Sequence, residues 1–365
     1  MPDYYGSASS QESIKVCYFG SYDPKYTRNR VIIFGLKQNG VNVFECQDAS
    51  SILLRYFKLL WKYLYLKKHD VIIVHGHGNV PLAWLLAKIF RRKLIFDPFI
   101  SLYDTAIFDR KEVDEKSVKA KYYYYLDKWC CALADIVMVD TWGHLRYFHE
   151  EFGIKKEKFR RVLVGADDTR FYPVKTEKED DKFRVLFYGT YIPLHGIEYI
   201  VKAAKLLENN KDIVFEIFGS GQTYKNIKSL SEKLKIKNIL FKIDWVEEDP
   251  QRYIGRVDVC LGIFGGTPKA KRVVPNKAYQ AIAMEKPLIT GDSPAAREVF
   301  SNKENAILCV MANPKAIAES ILLLKEDEKL RRKIAKNGYT LFKERFTPQA
   351  IGKEVKIIIE EVMKN

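Results

Sequence analysis

Acidic side chains are in short supply in this chain: 46 Asp and Glu stand against 61 Lys and Arg, a formal net charge of +15 over 365 residues. A basic excess of that size points to a polyanionic partner, with nucleic acid, anionic lipid and nucleotide phosphates as candidates. Cysteine is also sparse. Its six copies (Cys17, Cys46, the adjacent Cys130 and Cys131, Cys260 and Cys309) never fall in a CxxC spacing, which argues against a disulfide framework or a zinc site and suits a reducing cytosol. No apolar run approaches the roughly 20 residues of a membrane-spanning helix. No charged-then-apolar signal peptide opens the chain, and no low-complexity tract or internal repeat stands out. Residues 1–12 are expected to form a disordered leader.

What is present is ample apolar material. With 47% hydrophobic residues, 22 Tyr and 21 Phe the chain can fill two cores, and its length exceeds what a single core usually organises. Strand-like runs at Ile14 to Phe19, Val41 to Glu45, Val71 to Val74, Lys93 to Phe96, Ile136 to Val139 and Arg161 to Val164 alternate with helical stretches. Those helices are predicted over Thr27 to Asn39, Ala83 to Phe90, Lys119 to Leu133 and Gly143 to Phe152. Such a pattern predicts a parallel sheet covered on both faces.

The alternation stops at Phe171-Tyr172-Pro173, and segment 175–182 holds no apolar residue. It resumes with strands at Val185 to Tyr188, Ile213 to Phe218, Ile239 to Lys242, Val257 to Leu261, Pro287 to Thr290 and Ala306 to Cys309. The expectation is an α/β protein with a Rossmann-like domain over 13–174, a linker over 175–182 and a second Rossmann-like, doubly wound domain over 183–347. Glu326 to Phe346 reads as helix broken near Gly338, and 348–365 as a helix crossing back to the first domain. Ligands of this class bind in the cleft facing the carboxyl ends of the strands.

The richest stretch runs from Gly262 to Glu298. Gly262-Ile-Phe-Gly-Gly-Thr267 leads into a basic run from Lys269 to Arg272, and Val274-Pro275-Asn276-Lys277 then opens an apolar helical segment. Pro275 cannot continue a preceding helix and Asn276 can cap a following one, so backbone N–H groups of 277 to 279 would point outward as an anion site. Lys269, Lys271, Arg272 and Lys277 crowd around it and suit a diphosphate better than a lone carboxylate. A solvated basic turn before a core helix is the plain alternative. The turn Gly189 to Gly196, with Thr190 and His195 inside it, is a second candidate phosphate contact, or an ordinary βα connection. Gly219-Ser220-Gly221 closes the next strand, but Tyr224 takes the place of a third glycine, so the dinucleotide fingerprint is incomplete.

These pieces, in this order, resemble the second domain of GT-B glycosyltransferases, particularly the large family-4 type group (glycosyl transferases group 1) that uses nucleotide-sugar donors. The first domain takes part as well: Ala134-Asp135 to Thr141 is similar to the family's strand ending in Ser or Thr, and Val164 to Asp168 with Phe171-Tyr172-Pro173 to its interdomain signature. The likeness spans roughly residues 14–363. It implies a GT-B fold of two Rossmann-like domains, no bound metal, and transfer of a sugar from a UDP- or GDP-sugar to a lipid-linked or saccharide acceptor. The resemblance places Gly189 to Gly196 at the donor diphosphate, Gly219 in the donor site, Trp245 and Val246 at the nucleobase, Asn276 and Lys277 at diphosphate and sugar, and Gln280 at the ribose. It also places the loop that begins at Gly20 near donor and acceptor.

The chain departs from the family pattern where cations and acids are usual. Thr190 and His195 stand where most members have Arg and Lys, while Arg272 and Gln280 stand where the family has a pair of glutamates. Lys271, Arg272 and Lys277 would then supply the cationic stabilisation of the leaving diphosphate.

In the first domain, Arg28 and Arg30 either bind an acceptor phosphate or are surface cations at a helix start. Asp97 and Asp104 are candidate general bases for an inverting transfer, or helix caps and partners of Arg110. His75-Gly76-His77 invites a metal reading, but no further ligands are evident. Ile52 to Lys68 carries basic residues and no acidic one. Arg55, Lys58 and Lys62 on one helical face, with Trp61 among the apolar remainder, suit an anionic membrane surface, or else the apolar face packs on its own sheet. The expected location is cytoplasmic, peripheral at the inner face of the membrane. The rival readings are a basic nucleic-acid-binding protein and a non-catalytic GT-B scaffold.

Overall fold

The computed structural model describes residues 13–176, 180–243 and 246–364. The expected leader, residues 177–179 of the expected linker, and Trp245 lie outside them. The first lobe holds β1 (Lys15–Gly20), β2 (Asn42–Gln47), β3 (Val71–His75), β4 (Lys93–Asp97), β5 (Ile136–Val139) and β6 (Phe159–Arg161). They form one parallel sheet in the order β2-β1-β3-β4-β5-β6. The second lobe holds β7 (Phe183–Tyr188), β8 (Ile213–Phe218), β9 (Ile239–Lys242), β10 (Val259–Leu261), β11 (Leu288–Gly291) and β12 (Ile307–Cys309). Their order is β12-β11-β10-β7-β8-β9, again parallel. Both sheets are doubly wound. The chain reverses its direction of winding between β1 and β3 in the first and between β7 and β10 in the second, and the loops at those two reversals are where this class binds ligands.

Strands apolar on both faces demand helices on both sides, and the first lobe supplies them unequally. α1 (Thr27–Gln38) covers one face together with the C-terminal α13 (Pro348–Lys364). Gly35 and Gly352 set that crossing: a Cβ on Gly35 would come within 2.0 Å of the Pro348 carbonyl oxygen. α2 (Ile52–Leu64), α3 (Val80–Ile89), α4 (Val118–Leu133) and α5 (Trp142–Phe152) cover the other face. In the second lobe the helices are α6 (Ile197–Leu206), α7 (Tyr224–Lys233), α8 (Pro250–Ile254), α9 (Asn276–Ala283), α10 (Pro294–Arg297), α11 (Pro314–Glu326) and α12 (Glu328–Arg345). One apolar cluster runs from Tyr18 and Val31 through Ile351 to Ala278 and Ile282, so the lobes share a core on that side.

Two expectations change. β6 pairs through Phe159–Arg161 rather than through Arg161 to Val164, because Val162, Leu163 and Val164 are buried where the chain leaves the sheet toward the second lobe. Gly338 does not break α12. A Cβ there would sit 3.0 Å from Ile282 and 3.2 Å from the Asn305 carbonyl, so the glycine lets the helix lie close against α9. The break falls instead at Asp327, whose carboxylate caps α12 by accepting from Leu330 N at 2.8 Å.

Candidate active site

Between the carboxyl ends of the two sheets lies a cavity of about 480 Å³. Tyr188, Gly189, Thr190, His195, Gly219, Val246 and Pro275 to Lys277 line it from the second lobe, and Tyr26, Phe99, Asp109, Asp140 and His144 from the first.

The second-lobe wall is built on close backbone approach. A Cβ on Gly219, at φ +115°, would lie 2.2 Å from the Gly189 carbonyl oxygen, so the ends of β7 and β8 meet only because Gly219 lacks one. A Cβ on Gly189 would come 3.0 Å from Lys277 Nζ, which places that ammonium over the end of β7. The ammonium also sits 4.0 Å from the centroid of the Phe187 ring and 3.4 Å from His195 Nε2. The His195 ring pairs through Nδ1 with the Thr190 carbonyl, which can only accept, so Nδ1 carries the proton. Burial first, and the Lys277 charge second, hold His195 well below the usual histidine pKa, leaving it neutral. The wall therefore offers a buried cation, a neutral imidazole and the first turn of α9 side by side. That set can neutralise a diphosphate.

The capping expectation changes in one detail. α9 is preceded by Pro275 in extended conformation with no side-chain cap, so Asn276 is the first helical residue and lines the cavity.

The rest of the basic run serves the joint between the lobes. Arg272 donates to Asp104 at 2.5 Å and stacks 4.3 Å over the Tyr147 ring. Lys269, buried, donates to Thr105, and Thr267 donates to Asp109 at 3.3 Å. Lys271 is exposed and does not line the cavity. The turn they grip, residues 101–109, is organised by the fully buried Asp127 of α4. Its carboxylate accepts from Ser101 Oγ at 2.7 Å, Leu102 N at 3.1 Å and Tyr103 N at 2.9 Å, and lies 2.7 Å from His77 Nε2. His77 is thereby accounted for, and among the described residues no group of three or more His, Cys, Asp or Glu is placed to hold a metal ion.

Several expected ligand contacts are structural contacts instead. Arg28 is fully buried. Its Nε donates to both Asp97 oxygens at 2.9 and 2.8 Å and its Nη1 to the Val162 carbonyl at 3.0 Å. Neither Arg28 nor Asp97 lines the cavity. Arg30 pairs with Asp167. Gln280, fully buried, accepts from Tyr188 Oη at 2.7 Å and lies below the cavity lining. Gly20 packs under the loop after β3, where a Cβ would lie 2.3 Å from the His75 carbonyl oxygen. The polarity of Arg28, Asp97, Gln280 and Arg272 was legible in the sequence, but partners from 69 to 168 positions away were not.

A pair without a role in the sequence reading stands on the first-lobe wall: Asp140, just past β5, holds His144 of α5 through its Nδ1. A carboxylate ending a strand with a histidine four residues on, inside a helix start, is a spacing that signals it.

On the outer side of the same lobe, α2 buries only Leu59 and Tyr63. Leu53, Phe57, Trp61 and Leu64 face outward at 86%, 66%, 56% and 56% exposure, so the apolar stripe does not pack on its own sheet. The cations turn to one flank: Arg55 donates to the Ser50 carbonyl, and Lys58 and Lys62 lie 3.9 and 3.6 Å from Asp48. Tyr122, Tyr125 and Trp129 of α4 are exposed on the same side of the sheet. Among the described residues no helix is long and apolar enough to cross a membrane.

Comparison with known proteins agrees with this geometry. Residues 168–341 match the model of the family described as glycosyl transferases group 1. An uncharacterized glycosyltransferase of Methanocaldococcus jannaschii is 23% identical over 97% of this chain and 92% of its own length. The N,N'-diacetylbacillosaminyl-diphospho-undecaprenol alpha-1,3-N-acetylgalactosaminyltransferase of Campylobacter jejuni is 25% identical over 52% of this chain and 51% of its own. The structure of Anabaena HepE in complex with UDP-glucose superposes with a TM-score of 0.72 at 14% identity, covering 95% of this chain and all of that one. The family match lies in the second lobe, and the structural likeness extends the same fold across both. The chain is thus a GT-B fold glycosyltransferase related to the glycosyl transferases group 1 family, whose model matches its second lobe.

Proposed function

We propose that the chain transfers a sugar from a UDP- or GDP-sugar, bound on the second-lobe wall, to a lipid-linked or saccharide acceptor entering from the first lobe. The observation that carries this reading is the Lys277 ammonium held over the end of β7, against His195 and beside the first turn of α9. The diphosphate lies there, and its growing charge as the glycosidic bond breaks is met by a cation already desolvated and in place. The nucleobase lies toward Gly219 and Val246. Asn276 faces the diphosphate and sugar.

The roles expected for Lys271, Arg272, Asp97, Asp104 and Gln280 pass to other groups. Arg272 and Asp104 hold the lobes together, and Lys277 with His195 meets the donor. A panel of UDP-, GDP-, ADP- and TDP-sugars in a thermal-shift assay tests this, since a ligand bound to the folded state raises the melting temperature by mass action. Stabilisation by at least one donor is expected. No shift with any of them contradicts the reading and favours a non-catalytic scaffold.

The enzyme works at an anionic membrane surface, on its cytoplasmic side. The support is the outward apolar stripe of α2 flanked by Arg55, Lys58 and Lys62, an arrangement suited to insertion at the level of the lipid headgroups. The diphospho-undecaprenol in the Campylobacter jejuni relative's name supports a lipid-linked acceptor.

A further inference from the structure

The first-lobe wall of the cavity carries groups that the donor reading leaves unused. Tyr26 ends the loop after β1 and Phe99 lies just past β4; both line the cavity, and their rings meet at 5.5 Å and 76°. Arg28, fully buried beneath that lining, sets its guanidinium 5.6 Å from the centre of the Phe99 ring. Phe99 holds φ +58°, a left-handed conformation that a bulky side chain seldom adopts. Such a backbone persists where its surroundings over-determine it, and it recurs at binding sites.

Polar groups stand on the same wall. The register of β4 on β5, Ile95 with Ile136 and Phe96 with Val137, carries the segments that follow the two strands to one edge of the sheet. Asp109 from the first segment and His144 from the second line the cavity at 1% and 2% exposure. Asp140 accepts from His144 Nδ1, which leaves Nε2 with a lone pair, and that atom has no hydrogen-bond partner among the described residues. Thr267 donates to Oδ1 of Asp109 at 3.3 Å, while Oδ2 has no partner among the described residues. Buried acceptors in this condition cost free energy that a ligand hydroxyl recovers. Aromatic rings beside unpartnered acceptors suit a pyranose, whose C–H faces rest on rings and whose hydroxyls donate from its edge.

We propose that this wall is a pyranose subsite. Tyr26 and Phe99 are its stacking surface, His144 Nε2 and Asp109 Oδ2 accept from the hydroxyls of the ring, and Asp140 positions His144 by fixing its tautomer. The ring comes from the donor's own sugar or from a saccharide acceptor; the chemistry is the same, and the two arms of the test separate them. The inference rests on the donor reading above, which puts the nucleoside diphosphate on the opposite wall.

The test uses the full chain and the variants Tyr26→Leu, Phe99→Gly and His144→Ala. Phe99→Gly removes the ring while suiting the left-handed backbone, so a loss of sugar binding there does not come from a strained loop. In the first arm, UDP and UDP-glucose, or the nucleotide and sugar donor of the panel that bind most tightly, are titrated calorimetrically. In the second, methyl glycosides of glucose, galactose, mannose and N-acetylglucosamine are added to the UDP-saturated protein and read by saturation-transfer NMR. Every variant should keep UDP affinity within twofold of wild type. If the ring is the donor's, the variants weaken UDP-glucose about 10-fold. If it is the acceptor's, UDP-glucose is unaffected, and the signal that wild type gives with at least one methyl glycoside falls to background in the variants. Unchanged sugar binding in both arms, or UDP affinity lost together with that of the sugar, overturns the subsite and leaves the donor reading intact. Absence of binding by every nucleotide and donor overturns both.

Discussion

Lys277 and His195 come from different elements of the second lobe, and the Lys277 ammonium rests 3.4 Å from His195 Nε2, over the end of β7. Burial, and after it the Lys277 charge, keep His195 neutral, so the pair carries a single positive charge where two would repel.

That neutrality has a pH signature. Burial and Lys277 lower the folded-state pKa of His195, whereas the unfolded chain returns it to about 6.5. Between those values the unfolded state binds more protons, so the stability associated with a neutral His195 is present above the ordinary histidine range and is lost as pH falls below it. His195→Asn should flatten urea-denaturation stability between pH 7 and about 5 by up to about 1.4 kcal/mol per pH unit. A wild-type slope unchanged in the variant contradicts the assignment. His69 and His75, lowered by burial in the same direction, contribute equally to both proteins.

The joint between the lobes is testable by coupling. Asp104 is buried and Arg272 reaches it from the other lobe, so removing either leaves the other charge under-compensated. Asp104→Ala and Arg272→Ala should each cost about 3 kcal/mol, and the double variant clearly less than their sum. Strict additivity in a thermal or urea double-mutant cycle argues against the pair as the clasp.

Membrane contact depends on the outward stripe of α2. Phe57→Ser with Trp61→Ser should release the protein from vesicles containing anionic lipid, and Arg55, Lys58 and Lys62 changed together to Glu should do the same. Wild type should sediment with anionic vesicles and far less with neutral ones. Unchanged sedimentation of both variants removes the membrane from the account.

The fold was legible because its strands are apolar on both faces and its helices fall between them, a pattern that leaves little besides two doubly wound lobes. That Lys277, Asn276 and the Gly189 turn line one cavity was legible for a related reason: proline, glycine and a helix start mark exposed backbone turns locally. Arg28, Arg272 and the aspartates were not, because a charged side chain looks the same in sequence whether it meets a ligand or a buried partner far along the chain. Asp140 and His144 went unassigned because the strand before Asp140 and the helix that holds His144 are explained by the apolar pattern alone. Gly338 misled for a similar reason, since a helix interior tolerates glycine where a neighbouring helix comes close.

The central claim is that Lys277 meets a diphosphate. The most direct measurement is calorimetric titration of wild type and Lys277→Ala with the nucleoside diphosphate and with the nucleoside of the preferred donor. Loss of a charge-assisted contact should weaken diphosphate binding about 10- to 100-fold and leave the nucleoside nearly unchanged. Equal losses for the two ligands, or none for either, would contradict it.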